Sequence, residues 1–153
     1  MKTLLTYLLL VGAPLLGLLG ILRAGERIVP PRHVGGEWAA EPALAAALRA
    51  ACPDLVFPAA GPTLDVSQSG TRAVVTLNDP AATSLDARLD GVALVAATGE
   101  GSAACGGRGL RLTAMLHAEP DPPRLAGALT VPGCPSCAPV PFRAARLPAT
   151  PAR

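Results

Sequence analysis

Between residues 64 and 144 successive segments carry apolar residues at every second position. Leu64 and Val66 alternate with Asp65 and Ser67, and Ala73, Val75 and Leu77 follow beyond a Ser69-Gly70 turn. Leu85, Ala87 and Leu89 alternate with Asp86, Arg88 and Asp90; after Gly91 come Val92, Leu94 and Ala96. Leu110, Leu112, Ala114, Leu116 and Ala118 precede a turn at Glu119–Pro123, then Leu125, Gly127, Leu129 and Val131, and finally Val140, Phe142 and Ala144. Strict alternation puts one apolar face on each segment, the pattern of half-buried antiparallel strands. Short connections make successive segments hairpins. With Val34–Ala40 as a first strand, about eight strands follow one another. Such a meander closes into an up-and-down β-barrel or folds as a sandwich, and closure removes unpaired edges. One short helix is expected over Glu41–Ala51, where Pro42 suits the first turn and Cys52-Pro53 ends it.

Composition agrees with a β domain of thin core. The chain has 153 residues, of which 16 are Gly and 17 Pro, about a fifth. Aromatic residues are only 3 %, so the inward positions are mostly Ala, Leu, Val and Gly. A barrel this small is filled by its own side chains or holds one small ligand. From Ala24 onward there are 11 Arg and 11 Asp or Glu. This neutral portion has no electrostatic footprint for nucleic acid or for an anionic surface.

The formal charge of +2 comes from Lys2 and Arg23, which bracket 20 uncharged residues. Leu4–Leu22 would reach about 28 Å as a helix, near the thickness of a bilayer's hydrocarbon. A cleaved signal peptide has a shorter apolar core and a small-x-small site. Here Leu22 would occupy the −3 position of a cut after Ala24. A retained signal anchor over residues 1–23 is therefore the expectation, with cleavage as the other reading. A tether is expected over 24–33, the β domain over 34–147 and a Pro-rich tail over 148–153. Arginines after the span weakly favour the opposite orientation. Four cysteines without a metal-site pattern suit an oxidising compartment. The expectation is a single-pass protein of a bacterial-type inner membrane with its C-terminal domain on the periplasmic, extracytoplasmic side. Ala13 and Gly17 form a small-xxx-small pair that would let a partner helix approach closely.

Gly36-Glu37-Trp38 in the first strand, followed by a β-meander, resembles the G-x-W start of lipocalin-like, calycin-type barrels. The resemblance covers residues 34–147 and implies an antiparallel barrel with Trp38 closing one end. It also implies binding of a small apolar ligand. The helix at 41–51 departs from that pattern, because lipocalins carry theirs late.

Cys134-Pro135-Ser136-Cys137 is the sharpest local motif. A thioredoxin-type thiolate needs a helix after the motif, and Ala138-Pro139-Val140-Pro141 forbids one. The favoured pairing is Cys134–Cys137 as a local pinch and Cys52–Cys105 as a fastening between the helix and a Gly-rich loop. Long-range pairing with the C-x-x-C cysteines is the alternative, and a thiol-redox role is a third. Structural zinc needs four suitably spaced ligands, and Cys52 and Cys105 stand alone. Gly99-Glu100-Gly101-Ser102-Ala103-Ala104 formally matches a dinucleotide fingerprint, but Cys105-Gly106-Gly107-Arg108-Gly109 cannot supply the following helix. His33 and His117, and the strand carboxylates Asp86 and Asp90, read as solvated groups. No nucleophile and base pair up, so no catalytic residue and no cofactor is expected.

The resulting expectation is a non-catalytic, membrane-anchored accessory subunit of a larger membrane protein complex, such as a respiratory or photosynthetic assembly. Its partners would be integral membrane subunits, and lipid along Leu4–Leu22. The alternative is a lipocalin-like module for a small apolar ligand.

Overall fold

The computed structural model describes residues 2–25, 32–119 and 121–148. The chain divides into two compact units, Met1–Pro30 and Pro31–Arg153. The first holds helix α1 (Lys2–Gly25), with Pro14 inside it. The second holds β1 (Gly36–Ala40), α2 (Ala43–Ala51), β2 (Thr63–Ser69), β3 (Arg72–Leu77) and β4 (Ser84–Asp90), then β5 (Ala93–Thr98), β6 (Arg111–His117), β7 (Arg124–Thr130) and β8 (Val140–Arg146). Most of the expected tether and tail, residues 26–31 and 149–153, lie outside the described residues.

One expectation is corrected here. Among the described residues no helix is long and apolar enough to cross a membrane. The side chains of residues 2–9 lie outside that description. The transmembrane helix expected over Leu4–Leu22 is thus not part of what the structure shows.

The eight strands form a closed antiparallel barrel in sequential order. Closure occurs at β1, where Trp38 lies opposite Leu64 of β2 on one side and Arg146 of β8 on the other. The alternation seen in the sequence becomes alternating burial, strictly so along β4 and β6. The two-residue loops Gly70–Thr71 and Gly91–Val92 each begin with a glycine at positive φ, 63° and 58°. That geometry fits the right-handed twist of a tight hairpin. Gly127 has a different cause. A Cβ there would lie 1.9 Å from the Thr113 carbonyl oxygen and 2.6 Å from Ala114 Cα. Only glycine lets β6 and β7 approach so closely.

The interior is occupied by the chain's own side chains. Trp38, Leu64, Val75, Leu85, Leu89, Leu94, Leu112, Leu125 and Leu129 are all less than 2 % exposed. At the end where the chain enters β1, the turns are short. The opposite end carries the long connections, above all residues 41–62. Leu44 and Leu48 of α2, with Cys52, Leu55 and Phe57, join the inward strand residues in one core. This segment therefore plugs that end of the barrel. It is tied down by bonds from the Ala40 amide to the Pro62 carbonyl and from the Glu41 amide to the Arg143 carbonyl. The Asn78 side chain pins its return, accepting from the Thr63 amide at 2.8 Å and donating to the Gly61 carbonyl at 3.0 Å.

Helix α2 starts at Ala43, two residues later than expected. The Leu44 and Ala45 amides donate to the Glu41 and Pro42 carbonyls, an i→i−3 turn that precedes the α-helix proper.

Candidate functional site

Three places in the barrel unit gather the singled-out residues. The first is the chain-entry end around Trp38. Its ring is fully buried, and its indole N–H donates to the Val34 carbonyl at 2.9 Å. The Arg146 guanidinium lies 5.9 Å from the ring centroid, within cation–π range. The same guanidinium donates to the Gly35 carbonyl. Trp38 and Arg146 thus join the first and last strands and fix the chain segment that leads into β1. The Val34 amide donates to the Gln68 side-chain oxygen, and the Gln68 amide group donates to the Arg32 and Gly70 carbonyls. Sequence reasoning missed Arg146, although the alternation held the signal. Phe142 and Ala144 face inward, so residue 146 falls on the inward phase. A charge at such a position must find a partner.

The second place is the opposite end, where Cys52 and Cys105 are bonded and both fully buried. The bond fastens the end of α2 to the Gly-rich connection between β5 and β6. Cys105 adopts a positive φ of 54° and is followed by Gly106 and Gly107, also at positive φ. Asp54 holds the same junction by accepting from the Gly106 amide at 2.9 Å. Residues 99–110 form turns and contain no helix. The arrangement gives a pyrophosphate no helix N-terminus.

The third place is the connection from β7 to β8, where Cys134 and Cys137 are bonded to each other. Both cysteines are half-buried, while Pro135 and Ser136 between them are exposed. No free cysteine is left.

The remaining candidates stay apart. His33 and His117 are exposed, as are Asp86 and Asp90 on the outer face of β4. Ala13 and Gly17 are exposed on α1, and a Cβ at Gly17 would meet nothing within 4 Å. Among the described residues the one buried charged side chain, Asp79, accepts from the Thr83 amide at 2.7 Å and from its hydroxyl at 2.9 Å. It therefore shapes the β3–β4 connection. Among the described residues no buried side-chain nitrogen or oxygen lacks a hydrogen-bond partner, and no cluster of three or more His, Cys, Asp or Glu could hold a metal.

Cavities lie on the outer surface of the described residues. One of about 720 Å³ runs over the outer face of β2–β5 beside Arg72, Asp86 and Arg88. One of about 550 Å³ lies at the chain-entry end by Glu37, Asp121 and Arg146. One of about 420 Å³ lies between α2 and the β7–β8 connection. Arg72 and Arg88 face each other across β3 and β4, but Asp86, one pleat from Arg88 on the same face, offsets the like charge. The barrel is compatible with a lipocalin-like architecture in strand number, order and closure, whereas no known family, characterised protein or solved structure matches the chain.

Proposed function

We propose that the protein is a non-catalytic, membrane-anchored accessory subunit, with its barrel on the extracytoplasmic side of a larger membrane complex. The observation that carries this reading is α1. Leu10, Leu16 and Ile21 are 70–72 % exposed, and Val11, Leu15, Leu18, Leu19 and Leu22 are each more than half exposed. A helix that is apolar on every side calls for lipid or for a neighbouring protein. Together with the uncharged residues before Leu10, the run is long enough to span as an anchor. Ala13 and Gly17 would mark the side on which a partner helix packs. Two disulfides support an oxidising compartment.

The barrel supports a structural role for a separate reason. Its interior is taken up by its own leucines and Trp38, and its buried polar side chains are satisfied. A lipocalin-like carrier instead needs an internal cavity of at least roughly 300 Å³. The accessory reading is therefore preferred to apolar-ligand binding.

Purification of the full chain from its native membranes in mild detergent, followed by native mass measurement, tests the assembly. The expected result is a complex of fixed stoichiometry, well above the 15.4 kDa of one chain. A lone 15.4 kDa species would overturn the proposal.

A further inference from the structure

The two disulfides stand in opposite environments, and the difference points beyond a structural role for one of them. Cys52 and Cys105 are fully buried in the core, and their bond joins residues 53 positions apart. Cys134 and Cys137 lie three positions apart in an exposed connection. Closing so short a loop constrains the unfolded chain little. The β7–β8 connection also has its own bonds, from the Cys134 amide to the Val131 carbonyl and from the Cys137 amide to the Cys134 carbonyl. The barrel's closure and the plug at residues 41–62 do not depend on this bond.

The two sulfurs are not equivalent. Cys134 packs against the hydrophobic core, and its Sγ lies 3.7 Å from the Ser136 hydroxyl. Cys137 lines the 420 Å³ groove, whose other walls include Ala47, Ala50 and Ala51 of α2 with Pro139 and Val140. Small apolar side chains leave that approach open and uncharged. The groove lies at the barrel end opposite the chain's entry.

The geometry points to Cys134–Cys137 as a thiol-exchange site, attacked at Cys137 through the groove by a thiolate of a protein dithiol. The attacking sulfur bonds to Cys137 Sγ while the Cys134–Cys137 bond breaks. The electron pair stays on Cys134 Sγ, where the Ser136 hydroxyl can donate to it. The partner's second thiol then attacks its own sulfur in the mixed disulfide and releases Cys137. The partner dithiol is oxidised to a disulfide, and the Cys134–Cys137 pair takes up the two electrons and two protons. This mechanism does not use the helix-lowered thiolate of a thioredoxin. It rests on access to a half-buried pair within an exposed connection, since the more accessible disulfides have the more oxidising potentials. The inference is independent of the accessory-subunit reading.

The test uses the oxidised full chain in detergent with glutathione as the probe thiol. Equilibration in graded glutathione buffers, acid quenching, alkylation and mass spectrometry give the reduced fraction of each pair. Cys134–Cys137 is expected to reduce with an equilibrium constant at least about 100-fold larger than that of Cys52–Cys105, a gap of about 59 mV. Trp38 fluorescence should stay native throughout that first step. A brief exposure should place the glutathione adduct on Cys137. Reduction of both pairs at one poise, loss of native fluorescence with the first pair, or an adduct on Cys134 would each overturn the assignment.

Discussion

Replacing Cys52 and Cys105 together by alanine is expected to lower the unfolding free energy by about 4 kcal/mol. The bond closes a loop over a sequence separation of 53. The chain-entropy relation assigns roughly 4 kcal/mol to a loop of that length at 25 °C. The native state is also affected, because both sulfurs sit in the core where α2 meets the β5–β6 connection. Without the bond, the Gly106 amide donating to Asp54 remains as a polar tie at that junction. Domains are typically stable by only 5–15 kcal/mol, so the loss would remove a large share of the total. Urea unfolding followed by Trp38 fluorescence, with Cys134–Cys137 kept oxidised, measures it. A loss below about 1 kcal/mol would show that the plug is held by packing alone.

Trp38→Ala is expected to cost about 4 kcal/mol, the middle of the range for removing a buried large aromatic. Three effects coincide at this site. The ring is fully buried, so its removal opens a cavity that the flanking strands β2 and β8 cannot readily fill. The Val34 carbonyl loses its indole donor. Arg146 loses the ring face beneath its guanidinium and keeps its bond to the Gly35 carbonyl. Trp38→Phe retains most of the apolar volume and is expected to lose less than half as much. Because Trp38 is the only tryptophan, far-UV circular dichroism should follow both variants. Equal losses for the two variants would shift the weight of the site from ring volume to the indole hydrogen bond.

Much of the barrel was legible because the period-2 signal survives closure. Each strand from β2 to β8 contains most of the alternating residues read from the sequence, and the turns fall at Gly70 and Gly91 as their backbone freedom suggests. Leu110 and Val131 lie just outside β6 and β7, and Val92 and Ala118 are exposed in the connections. The favoured disulfide pairing was also legible. Proline after Cys137 excluded a helix there, and a three-residue spacing suits a local bond. Three features were hidden. Leu55 and Phe57 lie in an irregular stretch without periodicity, so nothing local announced that residues 53–62 help plug the barrel. Their burial is a tertiary consequence of the Cys52–Cys105 bond and the Asn78 side chain. The partnership of Trp38 with Arg146 depends on β1 meeting β8, a pairing set by closure and not by local sequence. The close approach at Gly127 looked like one more weak strand position until β6 supplied the opposing backbone.

The proposed function has α1 anchoring the chain in a membrane. Alkaline carbonate extraction of membranes containing the full chain tests this most directly, because it strips peripheral proteins and leaves spanning helices in the bilayer. If the proposed anchor holds, the chain remains in the pellet and is released only by detergent. Recovery of the intact chain, with residues 1–23 present, in the carbonate supernatant would overturn the anchor.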